Sequence, residues 1–154
     1  MPMQLEGRLA HPDRRAVGDR CPIDRAMQVV GTRSAMLLLR EAAYGTTRFD
    51  DFAARVGISD AIASSRLREL VAAGLLERRP YREAGQRTRH EYILTASGND
   101  LVPALLALAE WGRKHAPHTE TPVMTHAGCG AEIFVTARCA DGHDVATPDI
   151  VATA

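Results

Sequence analysis

Four side chains that could bind a metal lie close together near the end of the 154-residue sequence. Two residues separate His126 from Cys129, and three separate Cys139 from His143. Imidazole nitrogens and thiolates at paired short spacings are the ligands that a tetrahedral zinc site uses. A segment this short builds little core, so a metal would supply stability. The pattern predicts a zinc-binding tail, with a reversible Cys129–Cys139 disulfide or a vestigial, metal-free ribbon as alternatives.

The third cysteine, Cys21, directly precedes Pro22, a residue that suits the first turn of a helix. The helix macrodipole favours a charged thiolate at this place. Cys21 is therefore a candidate redox-sensitive thiol. The alternative is a partly buried cysteine that packs as a small hydrophobic residue.

Motifs for enzymatic chemistry are absent from the sequence: it has no Gly-rich phosphate loop, no G-x-S-x-G and no H-E-x-x-H. We therefore expect no catalytic residues. No apolar run approaches the roughly 20 residues that span a bilayer. The polar N-terminal stretch also lacks the apolar region of a signal peptide. These features predict a cytoplasmic protein with no membrane partner.

The stretch from Gly57 to Arg79 predicts a helix that runs into a strand. Ser59 suits the N-cap of this helix, and Gly74 suits a left-handed C-cap. Apolar residues between them recur at helical spacing and mark one buried face. A short amphipathic helix predicted at Phe49–Val56 precedes the turn. Together the two helices predict a helix-turn-helix.

Two predicted strands, Leu76–Tyr81 and Arg89–Leu94, follow and are joined by a polar turn that contains glycine. They predict a β-hairpin wing. Between Arg55 and Tyr92 there are eight arginines and five acidic residues, whereas one arginine and five acidic residues follow residue 116. The cations are therefore concentrated on the predicted helix and wing, although the whole chain has no net charge.

This distribution predicts double-stranded DNA as a partner. Short side chains and a long cation on the helix would reach base edges, and wing arginines would contact phosphates. The alternatives are an ordinary solvated helix face and a charged hairpin edge that prevents sheet aggregation. The candidate contact residues are Ser59, Ala61, Ser64, Ser65, Arg66, Arg68, Arg78, Arg79, Arg82, Arg87 and Arg89.

A long helix is predicted from an N-cap at Thr95 to about His115. Its apolar face is larger than a terminal helix of so small a domain can bury, and the surplus predicts a homodimer interface. The segment from Cys21 to Val30 would contribute to the same interface. The candidate interface residues are Ile23, Met27, Leu101, Leu105, Leu108 and Trp111.

The predicted fold class is α+β, mainly α: a winged helix-turn-helix with a C-terminal dimerisation helix and a small Cys/His-containing tail. Residues 1–20 are predicted to form a flexible arm. Residues 21–116 would be the DNA-binding and dimerisation domain. Residues 117–154 would be the tail, with a zinc-ribbon-like knuckle.

Residues 21–112 resemble the HxlR family of winged helix-turn-helix transcriptional regulators. The similar segments are CPIDRAMQVVG, RFDDF, GIS…RLRELVAAGLLERRPY and RTRHEYILTASGNDLVPALLALAEWG. The sequence departs from the family pattern in two places. At residues 31–34 Gly-Thr-Arg-Ser replaces Gly-Lys-Trp, and Asp60 and Ala63 stand at the start of the recognition helix, where an acid facing phosphate would be unfavourable.

The resemblance implies a dimeric bacterial DNA-binding regulator that contacts DNA through the helix from Asp60 and the wing arginines. The predicted function is a homodimeric repressor that responds to a redox, electrophile or small-molecule signal. In several similar regulators a cysteine before a proline responds to oxidants, and Cys21 matches that position. The alternative functions are a winged helix used for protein interaction, or a metal- or redox-sensing protein that acts through its tail.

Overall fold

The structure, a computed structural model, describes residues 1–14, 21–82, 84–85, 87–116 and 120–153. Several predicted features lie outside these ranges: arm residues 15–20, the wing-turn residues Glu83 and Gln86, and the first tail residues 117–119. The helices and strands are, in chain order, β1 (Gln4–Leu5), α1 (Pro22–Val30), α2 (Arg33–Ala43), α3 (Phe49–Val56), α4 (Asp60–Ala72), β2 (Leu76–Tyr81), β3 (Arg89–Leu94), α5 (Ala96–Asn99), α6 (Val102–His115) and β4 (Val151–Ala152).

The described chain is mostly helical with two small sheets, which confirms the predicted fold class. It divides into two compact units. One is continuous, Arg25–Ala109, and the other combines Met1–Asp24 with Glu110–Ala154. No helix in the described ranges is long and apolar enough to cross a membrane.

The core of the continuous unit forms where α2, α3 and α4 pack together with the β2–β3 hairpin. Thr32 caps α2 by accepting a hydrogen bond from the backbone N–H of Ala35 at 3.2 Å. Leu38 and Phe52 are fully buried, and the Phe52 ring meets Tyr92 edge-on at 6.2 Å. The buried leucines of α2 thus lie at the centre of the unit.

The turn between α3 and α4 follows from two residues. Gly57 ends α3 with φ 68°, a left-handed conformation that costs glycine little. The Ser59 hydroxyl then caps α4 by accepting from the Ile62 N–H at 3.4 Å. Ala63, Leu67 and Leu70 form the completely buried face of α4. These elements form the predicted helix-turn-helix.

The wing consists of β2 and β3, which pair antiparallel from Leu76 opposite Leu94 to Tyr81 opposite Arg89. Both strands have their predicted bounds. The hairpin is joined to the helices by a bridge between Arg48 and Glu91 and by a 2.9 Å hydrogen bond from Tyr92 N–H to Thr47 O. The wing root is therefore fixed next to the start of α3.

The prediction of a single long helix after Thr95 is wrong, because the chain forms two helices there, α5 and α6. Thr95 is the expected cap and accepts from the Gly98 N–H at 3.1 Å. A Cβ at Gly98 would lie 2.2 Å from the Leu75 carbonyl oxygen, so α5 packs closely against the backbone that precedes β2. Pro103 lacks an N–H and suits the first turn of a new helix, which explains the break.

The second unit joins the two ends of the chain. β1 pairs in parallel with β4, with Gln4 opposite Val151 and Leu5 opposite Ala152. The described part of the predicted arm, residues 1–14, therefore includes a short strand where the sequence predicted none. In residues 120–153 two isolated bridges join Thr125 to Glu132 and Arg138 to Asp144, and no side chain of this range is buried.

Candidate nucleic-acid interface

The exposed side of α4 carries the side chains that were predicted to read bases. Ala61 and Arg68 are exposed, and Ser64 is half-buried. The Nε of Arg68 donates to the Ser64 carbonyl oxygen at 3.2 Å. That bond occupies only one of five guanidinium donors, so the end of the side chain keeps donors for a partner. The Ser59 hydroxyl is already used as the N-cap.

Glu69 holds two other predicted contact residues. Arg66 forms an ion pair with this carboxylate at 2.5 Å, and the Ser65 hydroxyl donates to it at 3.0 Å. The hydrogen bond from Arg66, and then that from Ser65, lower the pKa of Glu69. The i, i+3 and i, i+4 spacings place all three on one helix face. Ser65 and Arg66 are therefore already engaged by Glu69 and must leave it before they can contact another group.

On the wing, the predicted arginines have different partners. Arg79 forms an ion pair with Glu77 at 2.8 Å, which lowers the pKa of Glu77 and raises that of Arg79. Arg78 donates to Nδ1 of His90 at 3.0 Å, and the bond requires a lone pair on that nitrogen. Arg82, Arg87 and Arg89 are exposed.

An open groove of about 610 Å³ lies between the start of α3 and the wing root. Three arginines and a histidine give it a basic lining, with two aspartates of α3 as the acidic part. The lining residues are Arg48, Phe49, Asp50, Asp51, Arg78, Tyr81, Arg89, His90 and Tyr92.

Arg48 lines the groove but is not among the predicted contact residues. Its guanidinium carbon lies 3.3 Å from the centroid of the Tyr81 ring, a cation–π contact that orients the cation at the groove. Asp50 and Asp51 occupy the first turn of α3, where they complement the helix dipole. An arginine directly before a predicted helix-turn-helix is the only local signal that could have identified it.

The residues predicted to form a dimer interface fall into two groups. Leu101 and Leu105 are half-buried and pack against the core of the continuous unit. Ile23 and Met27 on α1 are 70% and 50% exposed. On α6, Leu108 and Trp111 are 56% and 62% exposed. Four of the six predicted interface side chains thus face solvent in the single chain.

All three cysteines are free thiols: Cys21 is half-exposed before α1, and Cys129 and Cys139 are exposed. In the tail, His126 Nδ1 lies 3.2 Å from Cys129 Sγ, and Cys139 Sγ lies 3.5 Å from His143 Nδ1. Within the described ranges, no three or more His, Cys, Asp or Glu side chains are grouped to hold a metal ion. The predicted four-ligand zinc site is thus not assembled, because each pair lies on its own hydrogen-bonded turn.

Comparison with known proteins places the fold in a family. Residues 29–120 match the HxlR-like helix-turn-helix family. An HTH-type transcriptional regulator of Mycobacterium tuberculosis is 43% identical over 110 residues, which cover 70% of this chain and 68% of the relative. Another HTH-type transcriptional regulator, from Methanothermobacter thermautotrophicus, is 34% identical over 101 residues, which cover 65% of this chain and 76% of the relative.

Solved structures agree with this. The crystal structure of PA1607, a candidate transcription factor, is similar with a TM-score of 0.73 at 32% identity over 83% of this chain and 90% of that one. The redox regulator HypR in its reduced form is similar with a TM-score of 0.57 at 29% identity, over 62% of this chain and 94% of that one. The chain therefore belongs to the HxlR-like helix-turn-helix family of transcriptional regulators, whose members bind DNA and are not enzymes.

Proposed function

We propose that the chain is a homodimeric repressor that binds a palindromic operator with α4 in the major groove and the wing on the phosphate backbone. One observation carries the proposal. The basic groove at the wing root lies beside α3, the helix that precedes α4 in the helix-turn-helix. The helix-turn-helix and its wing thus offer candidate base-reading side chains on α4 and candidate phosphate-binding cations at the wing root, the two kinds of contact that operator recognition combines.

Sequence preference would come from few side chains. Arg68 is exposed and long enough to form a bidentate bond to guanine, and Ser64 and Ala61 allow close approach of the helix. Ser65 and Arg66 contribute only when Glu69 releases them. Arg68 is therefore the proposed principal base reader.

Affinity would come from the phosphate backbone. Arg78 and Arg89 line the groove with Arg48, and Arg82 and Arg87 lie nearer the wing tip. Arginine binds phosphate in a bidentate manner and keeps its charge at any working pH. Arg79 contributes less, since Glu77 already neutralises it at 2.8 Å.

A second copy of the chain would cover the exposed apolar residues of α1 and α6. Ile23, Met27, Leu108 and Trp111 are large apolar side chains, two on each helix and each at least 50% exposed, and a partner would remove them from water. Paired half-sites on DNA also favour a two-fold symmetric reader. The signal is proposed to be an oxidant or electrophile that reacts with Cys21, a proposal supported by similarity to the redox regulator HypR; a small-molecule effector is the alternative.

The decisive experiment is fluorescence anisotropy with the DNA upstream of the gene, with wild-type protein, Arg68→Ala and Arg138→Ala. Arg138 is an exposed tail residue paired with Asp144 and serves as a control for charge. We expect Arg68→Ala to lose about 1–3 kcal/mol of preference for the operator over unrelated DNA, and Arg138→Ala to behave as wild type. If wild-type protein fails to bind this DNA even at low salt, the winged helix serves protein interaction instead.

A further inference from the structure

The tail contains two small hydrogen-bonded turns, each with one histidine and one cysteine. The first knuckle, residues 124–133, is closed by bonds from His126 N–H to Ala131 O at 2.8 Å and from Ile133 N–H to Met124 O at 2.9 Å. The second knuckle, residues 137–145, is closed by bonds from Cys139 N–H to His143 O at 3.1 Å and from Val145 N–H to Ala137 O at 2.9 Å.

In each knuckle the separation of the imidazole nitrogen and the sulfur is close to the one that a shared metal ion would impose. Zn–S bonds of about 2.3 Å and Zn–N bonds of about 2.0–2.1 Å at a tetrahedral angle place sulfur and nitrogen about 3.6 Å apart. The observed separations are 3.2 Å for His126–Cys129 and 3.5 Å for Cys139–His143. Each knuckle is therefore a preformed pair of ligands.

Glycines make these ligand positions accessible. A Cβ at Gly128 would lie 2.9 Å from the His126 ring, so a larger residue there would displace the imidazole from its place over the turn. Gly142, with φ 83°, provides the left-handed residue just before His143. The turn geometry thus directs both side chains of each pair to the same place.

No described side chain of residues 120–153 is buried, so apolar packing contributes little to the stability of the knuckles. The first knuckle is anchored to α6 by the ion pair of Arg113 with Glu132 at 2.5 Å. Only residues 134–136 separate the knuckles, and the Cα atoms of residues 133 and 137 can be at most about 14 Å apart. A cross-link between the knuckles is short enough to form and would supply stability that the tail otherwise lacks.

We propose that the two pairs, His126 with Cys129 and Cys139 with His143, together bind one soft divalent ion, Zn²⁺, within a single chain. The second knuckle folds back onto the first, both thiols release their protons to solvent, and the four donors complete a tetrahedral shell. This site goes beyond the proposed operator binding and does not depend on it.

The test uses full-length protein purified without a histidine tag, in four forms: wild type, Cys129→Ser, Cys139→Ser and the matched control Cys21→Ser. Metal content is measured by mass spectrometry after dialysis against zinc, and Co²⁺ is added as a spectroscopic probe. We expect one zinc per chain and tetrahedral cobalt bands with sulfur charge transfer in wild type and Cys21→Ser. Substitutions outside the ligand shell already lower metal affinity by about 10–100-fold. The two knuckle variants, Cys129→Ser and Cys139→Ser, should therefore each lose at least about 100-fold in metal affinity.

A second measurement separates ligation from misfolding. Limited proteolysis should cut residues 120–153 faster after zinc removal in wild type, and zinc should make no difference in either knuckle variant. The proposal is overturned if wild type retains no zinc and shows no cobalt spectrum. It is equally overturned if Cys139→Ser keeps the ion, or if one ion is found per two chains.

Discussion

Arg89 offers the sharpest test of the proposed wing contacts. It begins β3, lies opposite Tyr81 and lines the basic groove. Its side chain is exposed, and within the described ranges it forms no ion pair. The substitution Arg89→Gln should therefore remove a phosphate contact without disturbing the core.

The expected size of the effect follows from counterion release. Each lost phosphate contact lowers the slope of log affinity against log salt by about 0.9. A homodimer loses two contacts, so the slope falls by about 1.8, and the fourfold change from about 50 to about 200 mM salt corresponds to about 0.6 logarithmic units. The ratio of wild-type to variant affinity should thus fall about tenfold over this range. A monomer would give only about threefold.

The assay is anisotropy on operator and unrelated DNA at both salt concentrations, with Arg138→Gln as a control of equal charge change. Melting temperatures of the two variants should match wild type, because both side chains are exposed. Loss of affinity should be similar on both DNA sequences. The assignment of Arg89 to a phosphate contact would be refuted if the ratio of the Arg89→Gln affinity to the wild-type affinity did not change with salt. An equal loss of DNA affinity in Arg138→Gln would also refute it.

Three further outcomes are expected. Gly98→Ala places a Cβ against the Leu75 carbonyl oxygen and should destabilise the protein by about 1–3 kcal/mol, measured as a lower Tm, whereas an unchanged Tm would contradict the close packing of α5. Arg66→Gln should raise the pKa of Glu69 towards 4.5 in an NMR titration; since the native pKa is lowered, the stabilisation from this pair is present above that pH and lost as pH falls through the native pKa, and an unmoved titration would disprove the ion pair. Oxidation by diamide should weaken operator binding of wild type but not of Cys21→Ser, and equal responses would exclude Cys21 as the sensor.

Local signals explain why the helix-turn-helix and the wing could be predicted from sequence. Gly57 fixes the turn through its left-handed backbone and Ser59 through its capping side chain. The polar, glycine-containing stretch between β2 and β3 marks the hairpin. The ion pair between Arg66 and Glu69 also follows from a local i, i+3 helix spacing, which can be recognised in the sequence. The break between α5 and α6 could also have been predicted from Pro103, but apolar residues recur at helical spacing on both sides of it and favour one continuous helix.

Contacts between distant parts of the chain could not be predicted. Arg48 meets Tyr81 only because the bridge to Glu91 brings the wing root against α3. β1 and β4 have two residues each, too few for a period, and their pairing depends on residues at opposite ends of the sequence. Spacing alone proposed the tail ligands, but it could not show that they form two separate pairs.

The discontinuous unit has a consequence for synthesis on the ribosome. The continuous unit, Arg25–Ala109, has its whole core within one stretch of chain and can fold before the tail is translated. β1 must wait for β4, since its partner strand is translated after the whole continuous unit. The nascent chain would thus carry a folded reader of DNA, still held at the ribosome, before the unit that joins its two ends exists.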